Sequence, residues 1–188
     1  MSNENDKKDP CDINLTPIDT ELDQQEDVES EHKISFGVQT RRDERVLAFN
    51  LIYAVDRFDY TEPLETVVSN YEKGFDFVVE RDSYALKLAQ GAIDEREALD
   101  ELMTPFLKNW KLNRLGCSTR LILRMALWEL IQSKAIASII INEAVELAKI
   151  FAEKDAFKFI NGILDQYCKE HALFTEEDLA TKELRKEE

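Results

Sequence analysis

"INEAVELAKIFAEKDAFKFINGILD", residues 141–165, holds two apolar runs on either side of a charged corner, Glu153-Lys154-Asp155. In the first run Ile141, Ala144, Val145 and Ala148 recur at helical spacing and form one stripe. In the second, Phe157, Ile160, Leu164 and Tyr167 form the inner face of a helix that Asp155 can cap. The stretch reads as a helical hairpin. Its polar residues have two readings each. Asn142 and Glu146, four apart, can hydrogen-bond on a second face, and Asn142 suits a helix-start contact that holds a neighbouring loop. Phe159 lies off the Ile160–Leu164 face. It either packs in the core or stands beside Lys158, where a phenyl ring can stack on a base and the ammonium can meet a phosphate.

The same periods run outward from the hairpin. "TRRDERVLAFNLIYAVDRF" opens with Thr40 as a plausible N-cap and places Val46, Phe49, Asn50 and Tyr53 on one face. Arg41, Arg42 and Arg45 stand at its first turn, an unfavourable end for cations, which Asp43 and Glu44 partly offset. A short amphipathic helix follows, with Thr61 as its cap, Leu64, Val67, Val68 and Tyr71 as its apolar face and Gly74 as its end. Asp82 can cap the next, which buries Tyr84, Ala85, Leu88, Gly91 and Ala92. Gly91 costs about 1 kcal/mol against alanine there, a cost that close helix packing would offset. Leu99, Leu102 and Met103 continue the pattern. Thr104-Pro105 then restarts a turn with a cap and a helical first position, and Phe106, Leu107 and Trp110 pack inward or meet a partner. "STRLILRMALWELIQSK" is apolar on almost every side, interrupted by Arg120, Arg124 and Glu129, and is expected to be the central helix.

Leu, Ala, Glu and Ile in helical periods, with five glycines and four prolines, give an all-α class. Residues 1–38 lack any sustained apolar period and are read as a disordered acidic tail, either a solubilising extension or a nucleic-acid mimic over a basic site. Residues 39–171 are read as the helical domain and 172–188 as a charged helix or tail, capped at Thr175. Residues 1–40 carry 11 acidic and 3 basic side chains, while 41–188 carry 28 and 21, so the net charge of -15 leaves room for a local basic patch. Cys11, Cys117 and Cys168 are widely spaced, which argues against a zinc site or disulfide framework. No signal peptide, membrane span, phosphate loop or nucleophile motif is present, so a reducing cytoplasm, no cofactor, no metal and no catalysis are expected. Glu143 and Glu146, one turn apart, lack a histidine to complete a metal site.

The opening stretch closely resembles the signature of the bacterial NusB family of transcription antitermination factors, approximately I-N-E-A-I-E-L-A-K-x-F-G-x-x-D-S-x-K-F-V-N-G-V-L-D. "RRDERVLAFNLIYAVD", "DSYALKLAQGAIDEREALDELMTPFLKNWKLNRL" and "RLILRMALWEL" resemble three further family segments, so the likeness covers nearly all of 41–169. It implies about seven helices in two small subdomains. It also implies binding of the boxA element of ribosomal RNA leader transcripts with ribosomal protein S10 (NusE), on elongating RNA polymerase. The implied RNA contacts are Arg41, Arg42, Arg45, Arg124, Lys158 and Phe159, with Asp155 nearby. The implied S10 contacts are Phe106, Trp110 and Arg120. This chain departs from the pattern at Asp43, where a basic residue is usual, and at Thr119, where many relatives have an acid. It also departs at Ala137 to Ile139, Ala152 and Ala156. An adaptor that keeps S10 and has lost most RNA binding is the alternative. A NusB-like domain also precedes a 16S rRNA cytosine methyltransferase domain, for which 188 residues leave no room.

Overall fold

The computed structural model describes residues 40–75, 77–108 and 110–175, so the expected tail over 1–38 and most of the 172–188 segment lie outside the described residues. Within them are seven α-helices and no strand: α1 Arg41–Arg57, α2 Leu64–Phe75, α3 Tyr84–Asp94, α4 Arg96–Met103, α5 Cys117–Gln132, α6 Ala137–Phe151 and α7 Ala156–Glu170. Two 3-10 turns, Thr104–Leu107 and Leu112–Arg114, link α4 to α5. One continuous apolar cluster draws on all seven helices, and Leu173 and Phe174 still pack against it.

The core sits around α5. Leu121, Ile122, Leu123 and Leu127 are fully buried at positions that cover every side of the helix. A helix without a polar face needs neighbours all round, and α1, α3, α4, α6 and α7 supply them. The hairpin of the opening stretch is formed by α6 and α7. Ala144 and Ala148 on α6 and Ile160, Ile163 and Leu164 on α7 are buried in it. Its corner turns at Asp155, which has φ 66°, a left-handed conformation that aspartate tolerates better than most residues.

Gly91 shows how closely α3 meets α5. A Cβ there would lie 2.0 Å from Cε2 of Trp128. The absent methyl is the space the indole occupies, so the helix-propensity cost is offset by packing, as its place in the sequence suggests.

Charge also ties helices together inside the protein. Arg45 of α1 and Glu129 of α5 are both buried, and Arg45 donates two charge-assisted hydrogen bonds to the Glu129 carboxylate, one of them 3.0 Å. Burial by itself would lower the pKa of Arg45, yet the Glu129 carboxylate more than reverses that, and it ends above the ordinary arginine value. Arg124 of α5 is buried too, and donates to both oxygens of Asp100 on α4 at 2.7 Å. The three polar breaks in α5 therefore lie where its neighbours present opposite charges or hydroxyls.

Some helix ends differ from the sequence reading. Ser83, not Asp82, caps α3, accepting from Leu86 N at 3.3 Å, and the Glu44 carboxylate accepts from Tyr84 N at 3.0 Å. Thr61 does not cap α2. Its hydroxyl donates to the Phe58 carbonyl at 2.6 Å, and the helix starts after Pro63. Thr104 donates to the Asp100 carbonyl at 2.7 Å, closing α4 rather than capping the next turn. α2 runs one residue past Gly74 to Phe75. At Ser83, Thr61 and Thr104 a hydroxyl bonded a backbone group other than the one its sequence position suggested.

Two stability measurements follow from this packing. Gly91→Ala is expected to lose about 1–2 kcal/mol in urea unfolding, although alanine favours helix by about 1 kcal/mol. In a Trp128→Leu background the same change becomes neutral or stabilising. Glu129→Ala strands a buried guanidinium and is expected to cost about 3–5 kcal/mol, whereas the joint change Arg45→Met with Glu129→Leu costs far less.

Candidate nucleic-acid interface

The α1 N-terminus is held by a reciprocal cap. Thr40 Oγ1 accepts from Asp43 N at 3.2 Å, and Asp43 Oδ2 accepts from Thr40 N at 2.9 Å. Asp43, at a position where the resemblance expects a base, is thus committed to starting the helix. Two guanidinium groups beside it reach solvent. Arg41 is 66% exposed, pairs with Glu44 at 2.7 Å and lies 4.5 Å above the Tyr84 ring. Arg42 is 57% exposed and grips Glu143 of α6 with two bonds, 3.0 and 2.6 Å. The hydrogen bond and charge of Glu143 raise the Arg42 pKa, and Arg42 in turn holds Glu143 below the usual carboxylate range. Arg45, the third arginine of the segment, points inward to Glu129 as described above.

Arg124 and Arg120 belong to a polar relay at the other end of α1. Arg124 Nη1 donates to the Tyr60 hydroxyl at 2.7 Å, and that hydroxyl donates to Asp56 Oδ1 at 2.9 Å. Arg120 Nη2 reaches the same oxygen at 3.4 Å, and the Cys117 thiol lies 3.1 Å from Asp56 Oδ2. Burial pushes the Tyr60 phenol up to about 12, and burial with the bond to Asp56 pushes the Cys117 thiol up to about 11. Cys117 is therefore a weak nucleophile at neutral pH. Neither Cys117 nor Cys168 is in a disulfide.

The α7 N-terminus makes a third cluster. Asp155 stands at the cap position of α7 without a side-chain cap bond, and its carboxylate instead pairs with Lys158 at 2.8 Å. Phe159 is half-buried and meets Trp110 edge to face, with ring centroids 6.2 Å apart at 63°. Trp110 is 58% exposed, whereas Phe106 is buried edge-on against Tyr167 at 5.7 Å. Thr119, a departure from the family pattern, donates to Glu153 Oε2 at 2.6 Å. That carboxylate occupies the space where Gly116 lacks a Cβ.

These clusters are not adjacent. Helices α1 and α5 run antiparallel, since Arg45 faces Glu129 while Asp56 faces Cys117 and Arg120. Phe159 and Trp110 lie with Gly116 and Thr119 around one cleft, at the start of α5. The step of 14 positions from Arg42 to Asp56 rises about 20 Å, so a ligand touching both Arg42 and Phe159 has to span on the order of 20 Å. The structure thus brings Lys158, Phe159 and Trp110 together, and separately Arg41 and Arg42. It places Arg45, Arg124 and Phe106 inside.

The carboxylates that receive the arginines, Glu143, Glu129, Asp100 and Asp56, were not readable as partners from the sequence. Glu129 alone carried a signal, as an acid in an otherwise apolar helix. Among the described residues there is no cluster of three or more potential metal ligands, and no helix is long and apolar enough to cross a membrane.

Comparison with known proteins adds a lineage. The NusB family model matches residues 42–169. A transcription antitermination protein NusB of Staphylococcus aureus is 35% identical over 133 residues, covering 69% of this chain and 99% of that relative. Its counterpart from Macrococcus caseolyticus is 43% identical over 99 residues, 51% of this chain and 76% of the relative. Among solved structures, T. maritima NusB superposes with a TM-score of 0.60 at 30% identity, covering 75% of this chain and 97% of its own. A structure of antitermination factors NusB and NusE in complex with dsRNA gives 0.58 at 28% identity, covering 69% and 96%. Since the family match runs from the first arginine-rich turn to the end of the last core helix, and a relative aligns over almost its whole length, this chain belongs to the NusB family of transcription antitermination proteins.

Proposed function

We propose that this protein binds boxA RNA of ribosomal RNA leader transcripts together with ribosomal protein S10 (NusE), and acts without catalysis on elongating RNA polymerase in the cytoplasm. The observation that carries this reading is the likeness to a NusB whose structure is a complex with NusE and RNA. The physical chemistry is consistent with it. Arg41 and Arg42 offer exposed guanidiniums for phosphates, and Lys158 with Phe159 pairs a cation with a ring that a base can cover. Arg45 and Arg124, being buried, serve the site by holding α1 and α5 in place. On the S10 side, Arg120 is partly exposed and Phe106 supports the loop from within. A net charge of -15 repels RNA at long range, so a second protein that completes the surface is part of the proposal.

One observation favours the adaptor reading. The guanidiniums of Arg41, Arg42, Arg45 and Arg124 each already face a carboxylate. RNA phosphates have to compete with Glu44 and Glu143 for the two exposed ones.

The test is binding of a boxA leader fragment with and without S10. Tight binding only in the presence of S10 is expected. S10 binding with no gain in RNA affinity would instead select the adaptor. A second measurement addresses the α1 end. Asp43→Arg is expected to raise RNA affinity and steepen its dependence on salt by about 0.7 in log–log slope, one single-strand phosphate contact. The same change removes the reciprocal cap and costs about 1 kcal/mol of stability. Unchanged RNA affinity and slope would remove the α1 arginines from the site.

A further inference from the structure

Two clefts flank the contact between the 3-10 turns and α7, and Trp110 and Phe159 line both. One has a volume of about 460 Å³ and also takes in Arg114 and Lys154. The other, about 340 Å³, takes in Lys108 and Lys158. The edge-to-face pair therefore forms a ridge between two hollows, each walled by aromatic surface and bordered by two cations. Both volumes fall in the range of pockets that hold a small planar ligand.

The charge around this ridge is opposite to that of the chain. Residues 102–119 contain three basic side chains, Lys108, Lys111 and Arg114, and no acidic one, in a protein with 39 acidic residues. Lys108, Lys111, Arg114 and Lys154 are exposed, and none has an ion-pair partner among the described residues. The two acids at the rim are engaged, Glu153 by the Thr119 hydroxyl and Asp155 by Lys158. The α1 arginines, by contrast, are each paired with a carboxylate. Aromatic faces with unpaired cations on both sides fit a polyanion carrying flat rings. They do not fit a basic or purely apolar partner surface.

We infer that Trp110 and Phe159 form a base-stacking ridge that takes two unstacked RNA bases, one on each side, with Arg114 and Lys154 on the phosphate of one and Lys108 on that of the other. This rests on the RNA-binding reading above and assigns Trp110 to RNA rather than to S10. Lys108, two residues before Trp110, has a left-handed φ of 47°, and the Trp110 indole is exposed.

The experiment uses the full chain, with S10 present, and a boxA RNA oligonucleotide. Trp110→Ala is expected to weaken RNA binding at least tenfold and to leave S10 affinity unchanged. Trp110→Phe, which keeps a ring, stays within about threefold of the parent. Arg114→Ala with Lys154→Ala lowers the salt slope by roughly 1.4, the value for two single-strand contacts. Tryptophan emission gives an independent readout. The second tryptophan, Trp128, lies against Gly91 and donates to Glu95 at 3.2 Å, on the α3 side of α5. RNA should quench the parent and leave Trp110→Phe unquenched. Because Trp110 is largely exposed, its replacement should not unfold the protein, which the thermal midpoint checks. RNA affinity indifferent to Trp110→Ala overturns the ridge but not the proposed function, and S10 affinity lost in its place returns Trp110 to the protein interface. A parent chain that binds no RNA with S10 present overturns both.

Discussion

Helix α5 has no face to spare, and everything else in the fold follows from covering it. Its leucines and isoleucines require neighbours on all sides, and its Arg124 and Glu129 then have to be buried among them. A buried charge without a partner is far more costly than a missing methyl group. Arg45 on α1 and Asp100 on α4 consequently hold specific positions along α5, not merely specific faces. Apolar contacts would tolerate a helix sliding by part of a turn. Two-pronged guanidinium–carboxylate bonds would not, because both hydrogen bonds fail together.

That constraint shapes the surface. With Arg45 drawn inward, Arg41 and Arg42 are left at the rim, where Glu44 and Glu143 meet them. Glu44 does a second job, closing the first turn of α3 through Tyr84 N. The α1 end is therefore a lattice of paired charges that also orients three helices. An RNA phosphate docking there would exchange one anion for another, which suits a weak and salt-sensitive contact. The α7 end is organised differently. There the rings of Trp110 and Phe159 stand among Lys108, Arg114 and Lys154, none of which has an ion-pair partner among the described residues. An RNA strand that uses both ends crosses several nucleotides of protein surface, and the two ends offer it different chemistry.

Much of the architecture was legible in residue order. The all-α class, the α6–α7 hairpin with its corner at Asp155, the central place of α5 and the Thr40 cap each rest on local spacing, and each appears in the structure. So does the compact meeting at Gly91, because glycine inside a helix has few other justifications. The misread caps share one cause. A Ser, Thr or Asp near a helix start has several orphan backbone groups within reach, and the choice among them is made by chain geometry. For Ser83 against Asp82 that geometry includes Glu44, which accepts from Tyr84 N, 40 positions further along the chain.

Pairing across the fold was beyond reach of the sequence. The arginines of the first turn looked alike, yet one of them is an internal strut and two are surface groups. Nothing in "TRRDERV" marks Arg45 as different, because its partner Glu129 lies 84 positions away. Trp110 and Phe159 likewise read as separate residues with separate roles, and only the packing of the 3-10 turns on α7 sets their rings edge to face. Helical period and family signature are properties of neighbours along the chain, so the sequence alone determined the class, the order of helices and the lineage. Which charges neutralise each other, and which rings share a cleft, depend on distances between segments far apart in that chain, and those the tertiary structure decided.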